Sequence, residues 1–256
     1  MGETVGGRMT NGLLDRTTHG GWCMLPGPVT AEVMGRSGFD WVCIDTQHGL
    51  IGSDSVPSMV QALALAGTPA VVRVPWNQPG DIMKALDAGA AGVIVPMVQT
   101  AQEAEQAVRA CRYPPLGERS YGPIGAALRD DGFTTAKAND GVICAVQIET
   151  GSTLDELDAI LSVPGIDLAY VGPADLGLSL GVAPTVDAVE PVHVGAIERI
   201  ALACREHGVP AGIHCSGPEG ALRWQELGFR FLTVATDIRL LQVGAQRAVD
   251  GVKRAG

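Results

Sequence analysis

The chain has 256 residues, of which 46% are hydrophobic and 18% charged, and a formal net charge of -10. That length suits one large α/β domain, and the apolar share is enough for a sizeable core, which excludes a disordered chain. So acidic a chain with no basic face excludes nucleic acid as a partner, because phosphate neutralisation needs clustered Lys and Arg, and an anionic substrate would need local cations to hold it.

Residues 1–18 read as an N-terminal arm. Regular alternation begins with the first strand, His19–Leu25, and a helix opened by Pro28 runs to Gly38. Asp40–Gly49 is the second strand and its exit, followed by a helix over Val56–Ala66 that Gly67 stops. The third strand is Thr68–Val74, with its helix Pro79–Ala88, and the fourth is Ala90–Val98, with the helix Ala101–Cys111. A Gly/Pro-rich connection follows, from Tyr113 to about Phe133. The fifth strand is Val142–Ile148 and the sixth contains Leu168–Val171. A long helix over Val192–His207 precedes the seventh strand, Pro210–Cys215. Then come a helix from Pro218 to Leu227, the eighth strand Phe229–Thr236, and a last helix over Ile238–Arg254. In that helix Ile238, Leu241, Ala245, Ala248 and Val252 repeat at three and four, making one apolar stripe.

Strands that alternate with helices argue a parallel sheet, and eight such units argue closure into a (β/α)8 barrel over residues 19–256. Most strands are apolar throughout, as expected where both faces are covered. There is no linker and no composition shift, so one domain is expected. Cys23, Cys43, Cys111, Cys144, Cys204 and Cys215 form no CxxC, and several lie in apolar runs. They read as reduced, buried thiols rather than a disulfide framework or a zinc site. Residues 1–7 have no apolar run and no stretch is long enough to span a bilayer, so the expectation is a cytoplasmic protein with no membrane partner.

Active sites of such barrels lie at the C-terminal ends of the strands. Glu149 follows VICAVQI and Asp175 follows IDLAYVGPA, so two carboxylates from neighbouring strands share that rim. Each alone reads first as a negative charge at a helix N-terminus. Together they suit one hard divalent cation, magnesium first, with manganese, cobalt or zinc as alternatives. Asp45 and His48 lie three apart where the second strand becomes a loop, a spacing at which an aspartate can orient an imidazole for proton transfer. Arg73 sits inside the apolar run VVRVP. Its charge must meet either an acid, Glu149 or Asp45, or an oxyanion in a polar cavity. Gln147 precedes Glu149 on the same strand. The turn Gly172-Pro173-Ala174-Asp175 offers backbone N–H groups to a carboxylate. Arg119, with Ser120 and Tyr121, reads as a lid that grips the distal part of a substrate. His214 and Asp237 are strand-end residues without assigned roles, and His19, His193 and His207 read as structural or surface residues.

The only lysines are Lys84, Lys137 and Lys253, and none ends a strand. A Schiff base therefore has no nucleophile here, and carbanion chemistry would rest on the metal. No Gly-rich dinucleotide fingerprint follows the first strand, which argues against a nicotinamide enzyme.

The stretches FDWVCIDTQHG, VVRVPWNQPGDIMKALDAGAAGVIVPMV, GERSYGP, AVQIET and YVGPADLGLSLG, spread from Phe39 to Gly181 in this order, resemble the HpcH/HpaI aldolases, the class II pyruvate aldolases. The resemblance implies a (β/α)8 barrel with a divalent metal on Glu149 and Asp175, a His48–Asp45 pair, an active-site Arg73 and a polar Gln147. It implies reversible cleavage of a 4-hydroxy-2-oxo acid to pyruvate and an aldehyde. It also implies a homo-oligomer, often a hexamer, whose C-terminal helices are exchanged between subunits. The segment IHCSG after the seventh strand and the SYGP form of the loop differ from the best-known hydroxy-dioate aldolases. Related enolate chemistry remains open on the same centre, as oxaloacetate decarboxylation or acyl-CoA lyase cleavage. A barrel serving only as a binding module is the reading from another class.

Overall fold

A computed structural model describes residues 12–253. The elements, in order, are β1 Thr18–Cys23, α1 Pro28–Gly35, β2 Trp41–Asp45, α2 Val56–Leu65, β3 Ala70–Arg73, α3 Pro79–Asp87, β4 Gly92–Val95, α4 Ala101–Cys111, α5 Ile124–Ala127, α6 Thr135–Gly141 and β5 Ile143–Ile148. A 3₁₀ turn at Ser152–Asp155 leads into α7 Leu157–Leu161, then β6 Leu168–Val171, α8 Pro173–Ser179, α9 Pro191–His207, β7 Ala211–His214, α10 Pro218–Glu226, β8 Phe231–Thr236 and α11 Asp237–Lys253. All strand pairings are parallel and β8 closes on β1, so the chain is a (β/α)8 barrel.

Local chemistry sets the helix starts. Pro28, Pro79, Pro173, Pro191 and Pro218 open their helices, where a missing N–H leaves no bond unmade. Thr100 and Glu103 close a reciprocal capping box on α4.

Strand alternation separates two cores. Outward residues such as Val42, Ile44, Val72, Val93 and Val146 pack under the helices. Inward residues fill the barrel, among them Trp22, Trp41, Val71, Ile94, Tyr170 and Phe231. Trp41 stacks on Phe231 with ring centroids 3.8 Å apart. Gly20 makes that possible, since a Cβ there would lie 2.3 Å from the Trp41 indole. Leu13 joins this inner cluster and is buried. The arm expected over residues 1–18 is thus corrected over its described part. Its apolar side chain docks on the barrel interior, and Thr18 Oγ1 donates to the Leu13 carbonyl at 3.2 Å. Residues 1–11 of the expected arm, and residue 254 at the end of the expected last helix, lie outside the described residues.

One further expectation changes. The Tyr113–Phe133 connection carries the short α5, and because it joins the end of α4 to the start of β5 it lies at the N-terminal end of the barrel, opposite the rim. The last helix does not dock on its own barrel. In α11 only Asp237 is buried, while Leu241 and Val252 are 64% and 77% exposed.

Candidate active site

Register brings the inward polar residues together at the C-terminal end. Asp45 of β2 lies beside Arg73 of β3. Both side chains point inward, so they meet without any loop. Arg73 donates from Nε to Asp45 Oδ1 at 2.9 Å and from Nη2 to Oδ2 at 2.6 Å. Trp22 Nε1 adds a third bond to Asp45 Oδ2 at 3.2 Å, and the guanidinium lies 5.0 Å from the Trp22 ring centroid. Burial works against the Asp45 charge, but the Arg73 fork prevails and holds its carboxyl below the usual range.

The expected Asp45–His48 pairing takes a different form. Asp45 Oδ1 accepts the backbone amides of Gln47 at 3.0 Å and His48 at 3.3 Å, while its two oxygens are committed to Arg73 and Trp22. Asp45 shapes the turn that carries His48, and no bond to the imidazole forms among the described residues. The turn is tight: a Cβ on Gly49 would lie 2.2 Å from the Asp45 carbonyl oxygen. The His48 side chain is exposed at the mouth.

Glu149 follows β5 and is buried. Its Oε1 accepts the Met97 amide at 2.7 Å, and its Oε2 accepts Gln147 Nε2. Met97 has φ 55, a left-handed conformation at a residue with a side chain. It turns the amide toward the carboxylate. Burial pushes the Glu149 carboxyl up to about 7; the Asp175 charge pushes the same way, and the Met97 amide and Arg73 oppose it. The two acids and Arg73 therefore feel one another across the rim. Gly172, between them, leaves no room for a side chain, since a Cβ would meet Glu149 Oε2 at 2.5 Å and Gln147 Nε2 at 2.6 Å. Asp175 stands in the first turn of α8, partly exposed.

These residues fit a hard divalent cation. The donors are carboxylate oxygens only, and no cluster of three or more His, Cys, Asp or Glu residues suited to a metal occurs among the described residues. A two-acid set leaves positions for water and substrate, as magnesium requires. Gln147 Oε1, buried without a partner, is a further oxygen beside Glu149.

Of the other expected residues, Gly172, Pro173 and Ala174 are on the rim at the start of α8. Arg119 is not. It lies at the far end of the barrel, its side chain 1% exposed and paired with Asp87 at 2.8 Å. It is corrected from a lid over its own rim to a residue anchored beneath the barrel. Asp237 is a clamp, its carboxylate taking the amides of Met24 at 2.9 Å and Leu25 at 3.0 Å.

Three residues without assigned roles line the inner mouth. Trp22 packs edge-on against His214 at 4.7 Å and stacks on Tyr170 at 5.9 Å. Tyr170 bonds Thr233 Oγ1 at 2.7 Å. Burial, with the Arg73 charge adding to it, lowers His214 to about 4, so it is neutral at physiological pH. The period-two alternation that separates inward from outward residues was the signal for Trp22 and Tyr170. Met97 acts through its backbone, and nothing in its side chain marks it.

The chain matches known proteins over nearly its whole length. It is 41% identical over 235 residues to the hydroxypyruvate/pyruvate aldolase of Rhizorhabdus wittichii strain RW1, covering 91% of this chain and 93% of the relative. Its fold matches a crystal structure of an HpcH/HpaI aldolase/citrate lyase family protein from Burkholderia cenocepacia J2315, with TM-score 0.88 and 33% identity, over 96% and 99% of the two chains. It matches citrate synthase SbnG with TM-score 0.85 and 28% identity, over 97% of each chain. The model of the HpcH/HpaI aldolase/citrate lyase family spans residues 19–242, and the chain belongs to that family.

Proposed function

We propose that this protein is a divalent-metal-dependent class II aldolase that reversibly cleaves a 4-hydroxy-2-oxo acid to pyruvate and an aldehyde. The observation that carries the reading is the meeting of Glu149, Asp175 and Arg73 on one rim that has no lysine. Glu149 and Arg73 sense each other's charge, as do Glu149 and Asp175. Lys84 lies in α3, Lys137 in α6 and Lys253 at the end of α11, all away from the strand ends.

Glu149 and Asp175 would hold the cation, magnesium in the first instance, with manganese, cobalt or zinc as alternatives. Bound there, it supplies a Lewis-acid sink for the electron pair released when the C3–C4 bond breaks. The first amides of α8, at Ala174 and Asp175, have no acceptor within the helix and face a substrate carboxylate in this reading. Arg73 gives two nitrogens to Asp45, and its Nη1 makes no hydrogen bond among the described residues. That nitrogen is available to the keto oxygen, where negative charge grows in the transition state. His48, on the turn that Asp45 fixes, takes the proton of the 4-hydroxyl through a water and returns it the same way in the synthetic direction. Gln147 holds Glu149 in place and lines the pyruvate side.

The partners are then a small 2-oxo acid and an aldehyde. A second copy of the chain is a further partner in this reading. The apolar stripe of α11 is exposed, which supports a homo-oligomer, a hexamer by resemblance, whose C-terminal helices are exchanged. Among the described residues no helix is long and apolar enough to cross a membrane.

The test offers pyruvate and metal with a panel of aldehydes, and separately measures pyruvate release from 4-hydroxy-2-oxo acids. Chelation should abolish release and added Mg²⁺ or Mn²⁺ should restore it. Activity that survives complete metal removal refutes the reading. The likeness to citrate synthase SbnG favours a second reading, condensation or decarboxylation of oxaloacetate at the same centre. That reading needs no aldehyde pocket, so turnover of oxaloacetate with no product from any aldehyde would select it.

A further inference from the structure

At the end of the barrel opposite the rim, the Tyr113–Phe133 connection and α6 fold back beneath the starts of β3, β4 and β5. Between them is a cavity of about 150 Å³. Its walls are mostly apolar, with Val60 and Ala64 of α2, Leu86 of α3, Phe133 and Val142. Two arginines line it as well. Arg119 Nε and Arg129 Nε are both buried and have no acceptor. The Arg119 side chain is 1% exposed, bonds Asp87 through Nη2 at 2.8 Å and lies 4.5 Å from the Tyr113 ring centroid.

Arg129 is unusual in this chain. The buried arginines Arg73, Arg112 and Arg119 each pair with a carboxylate, of Asp45, Asp167 and Asp87. Arg129 gives its Nη1 and Nη2 to the Gly125 and Ala88 carbonyls at 2.7 and 2.6 Å, and meets no carboxylate among the described residues. Burial without a counter-charge pulls its pKa down, yet a guanidinium stays charged at physiological pH. Asp130 also lines the cavity, but its Oδ1 is occupied by the Gly132 amide at 2.9 Å. Lys137, on the same wall, bonds the Gly132 carbonyl at 2.7 Å. Two arginines, one of them without a counter-charge, over mostly apolar walls call for a ligand with one acidic head and a hydrocarbon body.

We propose that this cavity is a binding site for a small monocarboxylic acid, separate from the rim. The carboxylate sits against the guanidinium groups of Arg119 and Arg129, and the aliphatic tail lies among Val60, Ala64, Leu86 and Val142. A doubly charged phosphate fits less well, because Asp130 lines the same cavity, Asp87 already neutralises Arg119, and most of the wall is apolar.

The test is calorimetric titration of the full chain with hexanoate, with and without saturating pyruvate and Mg²⁺, and with inorganic phosphate as competitor. The expected result is one saturable site per chain that neither pyruvate nor phosphate displaces. Arg129→Met should weaken it at least about tenfold, as should Ala138→Leu, which fills the cavity without touching a charge. Circular dichroism and melting establish that each variant is folded; should Arg129→Met fail to fold, Ala138→Leu decides. Absence of saturable binding up to about 10 mM overturns the proposal. So does displacement by pyruvate, or wild-type affinity in the folded variants.

Discussion

Arg73 grips Asp45 through two hydrogen bonds, at 2.9 and 2.6 Å, and the Asp45 side chain is wholly buried. The pair ties β2 to β3 side chain to side chain and leaves Nη1 of Arg73 without a hydrogen bond among the described residues. Arg73→Met would strand a buried carboxylate, at a cost of about 3–5 kcal/mol in stability. Arg73→Lys should spare much of that stability but lose the two-pronged grip, with kcat/KM down at least about a hundredfold. Urea unfolding set beside steady-state kinetics separates the effects, and a lysine variant with full activity would remove Arg73 from the chemistry.

Metal affinity should depend on both rim acids. Calorimetric titration of Glu149→Gln and Asp175→Asn with Mg²⁺ or Mn²⁺ should give no measurable binding, and unchanged affinity in either takes that residue out of the site. Gly172→Ala probes the packing behind them, because its Cβ would lie 2.5 Å from Glu149 Oε2. It should weaken metal binding about tenfold or more while the barrel still folds.

His48 is exposed and lies outside the buried network, so His48→Ala should leave stability within about 0.5 kcal/mol. It should slow aldol cleavage by at least about a hundredfold while pyruvate binding changes little. Parallel loss of binding and turnover would make His48 a binding residue instead.

His214 gives a pH signature in stability. Its pKa falls from the ordinary 6.5 to about 4 in the folded chain. Between those values the unfolded chain takes up a proton that the folded chain refuses. Stability therefore drops as pH falls through this window, by up to about 1.4 kcal/mol per unit, and is unaffected above it. In urea unfolding at pH 7.5 and 5, the wild type should lose more stability than His214→Gln. Equal losses would contradict an imidazole held neutral in the folded chain.

Removing residues 238–256 deletes the exposed stripe of α11 while keeping the Asp237 clamp. Sedimentation should then show a smaller assembly than the full chain forms. An unchanged assembly would place the subunit contacts elsewhere.

The strand and helix order was legible because hydrophobic periodicity and Pro/Gly punctuation are local properties. The placement of Glu149 and Asp175 on one rim followed from the barrel, since both come just after apolar strands. The Asp45–Arg73 pair was open between two acids, because only register decides which strand neighbour an arginine meets. The misplacement of Arg119 came from composition: a Gly/Pro-rich loop resembles a lid wherever it lies, but a segment between a helix and the next parallel strand falls at the N-terminal end.

By itself, then, the sequence determined the barrel, the lysine-free rim and the two rim acids as a candidate pair. Periodicity, residue inventory and chain direction need no distances. Tertiary structure alone decided that Asp45 serves Arg73 and the backbone of His48, that the Met97 amide holds Glu149, and that α11 stands away from its own barrel. Each of those depends on strand register, a single backbone dihedral or long-range packing, which are properties of the folded chain in three dimensions.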